Sequence, residues 1–425
     1  MKTLNKKTKK VLAPELLAPA GDLNKLKYAF AYGADAVYMG LPAFCMRSRE
    51  NEFDNKSFEE GAEYARKLGK KFYVTVNIYP RNNKIESFKK HFAYLRDVIK
   101  PSALIIADPG LIDMAKEIYP EAVLHLSVQA NALNYKTVEF WAAQGVSRVI
   151  LPRELMLSEI AEIHKKVPSM ELETFVHGAI CMAYSGRCLI SNYMTGRDSN
   201  QGICAHSCRW KYKMYIEEEM RPGKYLPIEE DDHGSYIMNS HDNCQIEYLR
   251  DLMEAGVCSL KIEGRNKTEY YLSVVARAYR KALDDMMAGR EFDRALLDEF
   301  AKISNRGYIP GFLKGFPGDS GINLNKSGTE VECRFLGVVK EVGAFGQDDL
   351  YRIEVRNRFE VGDKAEVVSP VGLGGKSKTG GDLVCKISEI LNLKKEKVDA
   401  AHGGAKDVYV RLKKGIPEMA LLRSA

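Results

Sequence analysis

The sequence predicts an α/β protein in which a (β/α)₈ barrel is followed by a small antiparallel β-barrel. From Glu15 onward, short β-branched segments alternate with amphipathic segments of about ten to eighteen residues, the pattern of a parallel βα fold. Eight strands can be counted in this part of the chain, enough to close a barrel. From about Glu330, apolar residues alternate with period two, which is typical of antiparallel strands.

The eight barrel strands follow one another at regular spacing, with one exception. We predict them at residues 15–21, 36–40, 71–77, 103–108, 123–130, 147–152, 171–178 and 259–264. The intervening segments LNKLKYAFAYG, SFEEGAEYARKLG and YKTVEFWAAQG each begin near a capping residue and end on glycine, as helices do. Between the seventh and eighth strands about 80 residues replace the usual 30, which predicts a large insertion.

Composition and segment boundaries suggest the domain plan. We expect a basic N-terminal tail over 1–12, a barrel domain over 13–325 with an insertion at 179–240, and a β domain over 326–425. We find no apolar run long enough to span a membrane, and no apolar segment follows MKTLNKKTKK, so we expect a cytoplasmic protein with reduced thiols. The net charge of +6 permits a polyanionic partner without requiring one.

Polar side chains follow most of the predicted strands, where the active face of a barrel lies. Each of them alone could equally position a loop. Together they predict a polar barrel mouth with a ligand-binding set and a catalytic set. The ligand-binding set is Asn77, Asp108 and Gln129, and the catalytic set is Arg153, His177, Glu263 and Arg265.

Four of the nine cysteines, Cys181, Cys188, Cys204 and Cys208, lie in the insertion, separated by six, fifteen and three residues. Four thiolates can complete the coordination of zinc or of an iron–sulfur cluster. Structural zinc sites usually have two closely spaced cysteine pairs, and only the second pair here is close, which favours a cluster. The segment is rich in Gly, Ser, Asn and Arg, so it offers little core for buried thiols.

Other roles for the cysteines remain open from the residues alone. Cys244, which we expect to begin a helix near the same mouth, could replace one of the four ligands, and Cys45 is a weaker candidate. A thiol paired with His177 or His206 could instead be a nucleophile. The sequence contains neither HExxH nor GxSxG, the motifs of two large hydrolase classes.

Basic and aromatic residues alternate directly after the last of these cysteines, in RWKYKMY at 209–215. Alternation places the two kinds of side chain on opposite faces of a strand, so one interpretation is an amphipathic strand with a solvated basic face. The other interpretation is a surface that contacts phosphates and stacks on bases.

Several of these segments together resemble a known family. They are LLAPAGD, GADAVYMG, SVQAN, LPREL, FVHGAICMAYSGRCLISNYMTGRDSNQGICAHSCRWKY, NSHDNC, SLKIEGR and NRGYIPGFLKG. They are similar to the collagenase-like peptidase family U32, and the similarity extends over nearly the whole chain. Within that family the chain resembles the branch that hydroxylates tRNA, which carries a translation-factor-like β-barrel after its catalytic domain.

The resemblance implies an enzyme that hydroxylates the wobble uridine of tRNA at carbon 5, with prephenate as co-substrate and without free oxygen. It also implies a 4Fe–4S cluster bound by Cys181, Cys188, Cys204 and Cys208, with Cys244 as an alternative ligand. The arginines of the mouth suit a dicarboxylate such as prephenate, and Glu263 would orient Arg265 or carry a proton. The alternatives are a collagenase-like peptidase and a zinc-stabilised RNA-binding module.

Overall fold

The computed structural model describes most of the chain. It covers residues 12–46, 48, 51–181, 183–210, 215–217, 219–220, 222–223, 225–227, 240–317, 321, 331–371, 383–404 and 407–425. The predicted basic tail therefore lies almost wholly outside the described residues, as do positions 211–214 of the basic aromatic run.

Eight parallel strands form a closed barrel, which confirms the predicted fold. They are β1 (Glu15–Pro19), β2 (Ala36–Met39), β3 (Lys71–Val76), β4 (Ala103–Ile106), β5 (Leu124–Leu126), β6 (Arg148–Ile150), β7 (Glu171–Ala179) and β11 (Val257–Ile262). Neighbours in this order pair in parallel, and β11 closes the barrel by pairing with both β1 and β7.

Helices connect these strands and cover the barrel. They are α1 (Leu23–Ala31), α2 (Asn55–Lys67), α3 (Ile85–Tyr94), α4 (Pro109–Ile118), α5 (Tyr135–Ala143), α6 (Leu157–Lys166), α7 (Ile190–Thr195), α8 (Leu249–Glu254), α9 (Glu269–Met287) and α10 (Ala295–Ala301). Several begin at a side chain that accepts a hydrogen bond from the first turn, such as Asp22, Asn134 and Thr268. None of the helices in the described part of the chain is long and apolar enough to cross a membrane.

The interior of the barrel contains a buried network of charged side chains together with apolar side chains. Near the amino ends of the strands, the buried Arg148 pairs with Glu15 at 2.7 Å and with Glu173 at 3.2 Å. Glu173 also accepts a hydrogen bond from Lys261 at 2.8 Å. Because each buried charge has a partner of opposite sign, this network fills the barrel without an isolated charge. Apolar and aromatic side chains lie in the interior as well, among them Tyr38 and Phe175.

The insertion after β7 contains α7, a hairpin of β8 (Tyr215–Glu217) and β9 (Tyr225–Pro227), and the short strand β10 (Asp242–Cys244). β10 pairs antiparallel with the end of β7, and β12 (Tyr308–Ile309) pairs with β10. The expectation that Cys244 begins a helix was wrong. Cys244 ends β10 opposite His177, and a helical turn begins only at Ile246.

The C-terminal part is an antiparallel β domain, as predicted. Its strands are β13 (Phe335–Val342), β14 (Leu350–Val355), β15 (Phe359–Glu360), β16 (Lys364–Val368), β17 (Leu383–Lys386), β18 (Glu389–Leu391), β19 (Ala400–Ala401), β20 (Val408–Arg411) and β21 (Leu421–Ser424). Seven of them form one sheet in the order β17-β16-β21-β13-β14-β20-β18 around its own apolar core.

The β domain is attached to the barrel by buried polar contacts. The Tyr32 hydroxyl, just after α1, donates to the carbonyl of Val368 at 2.8 Å and is 3.0 Å from that of Met419. Arg423 of β21 is fully buried and contacts Glu299 of α10 at 2.8 Å. These directed contacts fix the orientation of one domain on the other more specifically than apolar packing alone.

Candidate active site

A cavity of about 190 Å³ lies at the carboxyl end of the barrel. Its walls include residues that directly follow strands, namely Asn77 after β3, Gln129 after β5, Arg153 after β6, and Glu263 and Arg265 after β11. Its roof is the cysteine lid, residues 181–210 of the insertion. Cavities of barrel enzymes lie at this end because the loops there vary without disturbing the barrel.

All four cysteines of the lid line this cavity. None of them forms a disulfide, and Cys181 is exposed while Cys188, Cys204 and Cys208 are half-buried. Burial raises the pKa of Cys208, and the other three thiols add to this effect while Arg209 opposes it. Within the described ranges, no three His, Cys, Asp or Glu side chains are placed to hold a single metal ion. The four thiols thus border one shared cavity.

The polar residues of the lid fix the backbone around the cysteines. Ser199 and Asn200 donate to the carbonyl of Cys188 at 3.1 and 3.2 Å. Arg197 donates to the carbonyls of Ile203 and Cys204 at 3.1 and 2.9 Å. The Ser, Asn and Arg residues of the segment therefore donate to partly buried carbonyls, which holds the backbone of the lid without an apolar core.

The lid also contacts the barrel closely. The amide of Tyr79 donates to the carbonyl of Asn200 at 3.3 Å, and Gln201 donates to the carbonyl of Tyr79. Gly186 has φ of +72°, and a Cβ atom there would lie 2.2 Å from the carbonyl oxygen of Gln129. Only glycine fits this position, because a side chain would push the lid away from the mouth.

The charged residues that line the cavity are mainly cationic: Arg153, Arg209, Lys261 and Arg265, against one carboxylate, Glu263. The Arg153 guanidinium lies 3.7 Å from the centre of the Phe175 ring, and its Nε is buried without a hydrogen-bond partner among the described residues. Arg265 donates to Thr75 at 3.3 Å and to the carbonyl of Met46 at 2.5 Å.

Glu263 accepts a hydrogen bond from the amide of Ala179 at 3.4 Å. The lining therefore has more cationic than anionic side chains, and one of its arginines, Arg153, has a buried Nε without a hydrogen-bond partner among the described residues. Such a cavity suits an anion with a planar carboxylate, which guanidinium groups bind through paired hydrogen bonds.

Comparison with protein families places this chain. The model of peptidase family U32 matches residues 21–323, and the model of the peptidase family U32 C-terminal domain matches residues 331–423. The chain belongs to peptidase family U32. The resemblance seen in the sequence is thereby confirmed.

Three relatives show the range of names in the family. A tRNA hydroxylation protein P of Haemophilus influenzae is 42% identical over 95% of this U32 chain and 94% of its own length. A protein of the same name from Escherichia coli is 46% identical over 84% of this chain and 87% of its own. A collagenase of Porphyromonas gingivalis is 29% identical over 88% of this chain and 89% of its own.

Most of the predicted site residues of this U32 protein lie around the one cavity. They are Asn77, Gln129, Arg153, Glu263, Arg265 and the four lid cysteines. Asn77 accepts a hydrogen bond from the amide of Met46 at 3.0 Å and donates to Ser127 at 3.3 Å, so it supports two loops of the mouth. Their convergence does not by itself assign a role to any of them.

His177 lies elsewhere, and the expectation that it faces the barrel mouth was wrong. It is fully buried outside the barrel among Tyr271, Tyr279, Phe300 and Tyr308, with ring centroids 4.6–5.9 Å from its own. Burial lowers its pKa to about 3, and neither ring nitrogen has a hydrogen-bond partner among the described residues. A neutral imidazole enclosed by aromatic rings is a core residue.

Two further predicted residues have structural surroundings. Asp108 is the N-cap of α4 and accepts a hydrogen bond from the amide of Leu111 at 3.0 Å. Cys244 is buried in the hydrophobic core, its Sγ 3.9 Å from the Tyr279 hydroxyl, and burial raises its pKa to about 11. The residues described as lining the cavity include neither of them.

Lys261 also lines the cavity, although it was not among the predicted site residues. Its ammonium lies 4.5 Å from the centre of the Tyr38 ring and is bonded to Glu173. In the sequence, Lys261 stands inside an ordinary strand pattern, SLKIEG. A lysine at an inward position of a barrel strand was the available signal, since such charges need a buried partner or a ligand.

Proposed function

We propose that this protein is a tRNA-modifying enzyme that hydroxylates the wobble uridine at carbon 5. The observation that carries the proposal is a barrel-end cavity lined by both thiols and cations, in a chain 42% and 46% identical to two proteins named for tRNA hydroxylation. The alignments with those relatives span 94% and 87% of their own lengths, so the likeness includes both domains. A tRNA substrate agrees with the predicted cytoplasmic location.

We further propose a 4Fe–4S cluster bound by Cys181, Cys188, Cys204 and Cys208. Tetrahedral zinc, with Zn–S distances of about 2.3 Å, would bring four sulfurs within about 4 Å of one another. All four thiols line one cavity wall together with cationic side chains, and this arrangement supports a group that several thiolates bind at once. When bound, such a cluster supplies one-electron redox chemistry. Nearby guanidinium groups would offset the charge of the thiolates.

The excess of positive charge in the cavity supports an anionic co-substrate, and we propose prephenate, a dicarboxylate. Arg153 is the residue placed to bind it, because its buried Nε has no partner among the described residues and stacking on Phe175 holds its plane. Arg265 already donates hydrogen bonds to Thr75 and to the carbonyl of Met46. It would therefore attract the ligand mainly through its charge, because fewer of its N–H groups remain for hydrogen bonds to a carboxylate. Glu263, opposite these cations, would orient them or carry a proton.

A peptidase is the alternative that the family name and the collagenase relative suggest. A cysteine peptidase needs a histidine within hydrogen-bonding reach of its thiol. Of the two histidines predicted for that role, His177 is enclosed by aromatic rings outside the barrel, which removes one candidate, whereas His206 lines the cavity with the thiols. The higher identity to the tRNA hydroxylation proteins, 42% and 46% against 29%, also favours the RNA substrate.

Two measurements test the proposal. Anaerobically purified protein should contain about four iron and four sulfide per chain, and a colourless protein with stoichiometric zinc would contradict the cluster. Cys208→Ser should lower the iron content, whereas Cys385→Ser, in the core of the β domain, should leave it unchanged. Cys244→Ser decides whether that thiol is a ligand.

The substrate is tested in a strain that lacks the gene. Mass spectrometry of its tRNA nucleosides should show the loss of 5-hydroxyuridine derivatives, restored by the wild-type chain and not by Arg153→Met. Unchanged nucleosides after removal of any redundant enzyme, together with cleavage of collagen peptides by the pure protein, would favour the peptidase.

A further inference from the structure

The outer surface of the cysteine lid exposes large apolar side chains beside the cavity. Tyr193 is 90% exposed, Leu189 70% and Tyr184 58%. Leu189 is the N-cap of α7, and Tyr193 lies four residues later within the helix. This spacing places both side chains on one face of the helix. Tyr184 also lines the cavity. We call these three exposed residues of the lid the lid face.

The lid face is held in place, although its side chains are exposed. Ser191 of α7 is buried, donates to the carbonyl of Arg197 at 2.6 Å and accepts from the amide of Ala205 at 2.8 Å. Thr195 donates to the carbonyl of Ser191 at 2.7 Å. Exposed rings on an ordered backbone can bind a partner without the entropic cost of ordering a loop.

The charge around the lid face is positive. Residues 183–210 contain Arg187, Arg197 and Arg209, against a single acidic residue, Asp198. Arg81, on the loop after β3, is 73% exposed and lies 3.9 Å from Asp198. A surface with exposed rings and arginines is complementary to single-stranded nucleic acid, because the rings stack on bases while the arginines contact phosphates.

We propose that the lid face is a stacking surface for the unpaired bases of an RNA loop that flank the nucleotide entering the cavity. The inference rests on the proposed function and deepens it, because it assigns loop binding to Tyr193 in particular. A base must leave its neighbours to enter a cavity, and an aromatic surface at the mouth compensates the stacking that those neighbours lose. The surface then favours loops over duplex RNA, since only unpaired bases present their faces.

The test compares variants of the full-length protein in binding a tRNA anticodon stem–loop. Tyr193→Ala should raise the Kd between about fivefold and 150-fold, equivalent to about 1–3 kcal/mol for one stacked base. Tyr193→Phe, which keeps the ring, should bind like wild type. Phe140→Ala is the matched control, because Phe140 is 55% exposed on α5, outside the lid. Iron content should be equal in all four proteins.

Salt dependence separates stacking from charge. Tyr193→Ala should leave the slope of log Kd against log salt unchanged, whereas Arg187→Gln should reduce it by about 0.7, the contribution of one phosphate contact on a single strand. Wild type should bind a stem–loop more tightly than a duplex of equal length. For Tyr193→Ala, the Kd values of these two RNAs should be closer to each other.

Three outcomes would overturn the inference. If Tyr193→Ala binds and hydroxylates tRNA as wild type does, the stacking role is refuted while the proposed function stands. If the molecular mass of Tyr193→Ala in sedimentation equilibrium differs from that of wild type, a second copy of the chain covers the lid face in place of RNA. Failure of the wild-type protein to bind or hydroxylate any tRNA would instead refute the proposed function, and the inference with it.

Discussion

Replacing Arg423 by methionine tests how the two domains are held together. Arg423 is fully buried between β16 and α10. Its Nε and Nη2 donate to the two carboxylate oxygens of Glu366 at 2.9 and 2.8 Å, and Nη2 also donates to Glu299 at 2.8 Å. Methionine fills a similar volume but leaves two carboxylates facing each other, with only Lys302 to offset them.

The expected cost is large because the interaction is buried. Removing one partner of a buried ion pair costs about 3–5 kcal/mol, since the remaining charge stays in a region of low dielectric constant. Arg411→Met is the matched control. Arg411 lies in the same domain and also pairs with two carboxylates, Asp349 at 2.7 Å and Glu389 at 3.0 Å, but its side chain is 30% exposed. Pairs of that kind contribute about 0–1 kcal/mol.

The same reasoning predicts a pH dependence. Burial alone would raise the pKa of Glu366, but the hydrogen bonds and charge of Arg423, with help from Lys302, lower it from 4.5 to about 2. A lowered pKa in the folded state stabilises the fold fully above about pH 5, and this contribution is lost as the pH falls toward 2. The contribution of this pKa shift to the free energy of unfolding is about 3 kcal/mol at most, and about 2 kcal/mol after solvent screening.

Urea unfolding followed by circular dichroism measures these effects. With a slope of about 3 kcal/mol per molar, the Arg423→Met variant should unfold at about 1–2 M lower urea than wild type at pH 7. The difference in urea midpoint between wild type and Arg423→Met should become smaller as the pH falls from 5 toward 2. Both tryptophans, Trp141 and Trp210, lie outside the β domain, so their fluorescence follows the barrel separately. Equal losses for Arg423→Met and Arg411→Met would refute the reasoning.

Three further substitutions test the site and the fold. Arg153→Met should lower kcat/KM for the anionic co-substrate at least about tenfold at saturating tRNA, and Arg153→Lys should not restore it, because lysine lacks the planar fork. Equal kinetics for all three proteins would remove Arg153 from the site. His177→Phe should retain activity and should gain about 2 kcal/mol of stability relative to wild type when the pH is lowered from 7.5 to 5. The sign follows because a pKa lowered from 6.5 to about 3 makes wild type lose stability as the pH falls through that range. A loss of activity in that variant would contradict its assignment to the core. Tyr32→Phe should cost about 1–3 kcal/mol in urea unfolding, because it leaves the buried carbonyl of Val368 without its donor, whereas Tyr193→Phe should cost nothing.

The sequence was sufficient to predict the barrel, because each of its strands is a short apolar segment that can be recognised without knowledge of its neighbours. Local detail was less predictable where a polar side chain ends a strand. The fifth predicted strand extended over 123–130, but the strand ends at Leu126, because Ser127 caps a helical turn over Val128–Ala130. The Ser127 hydroxyl accepts a hydrogen bond from the backbone amide two residues ahead, and this bond takes the place of strand pairing. The apolar pattern of the sequence continues through the turn, so it does not reveal where the strand ends.

The site was less predictable because it depends on register between distant segments. His177 follows a strand pattern that should alternate inward and outward, and Phe175 does line the cavity. The pairing of β7 with β11 shifts by one residue between Phe175 and His177, which turns the histidine outward toward α9. A shift of one residue moves a side chain to the opposite face, and neither strand shows it in isolation.

The charge distribution of the barrel supports the proposed anionic ligand. Below the cavity, Glu15 and Glu173 balance Arg148 and Lys261, so the ammonium of Lys261 is already neutralised by its bond to Glu173. Above that level, the described part of the wall contains the guanidinium groups of Arg153, Arg209 and Arg265 and one carboxylate, that of Glu263, so cationic side chains outnumber anionic ones there. Burying excess charge is costly, and a ligand or thiolates of opposite sign recover that cost when they bind. The paired network below thus keeps Lys261 from competing for the ligand and leaves Arg153, whose Nε has no partner among the described residues, as the group that an entering carboxylate would meet.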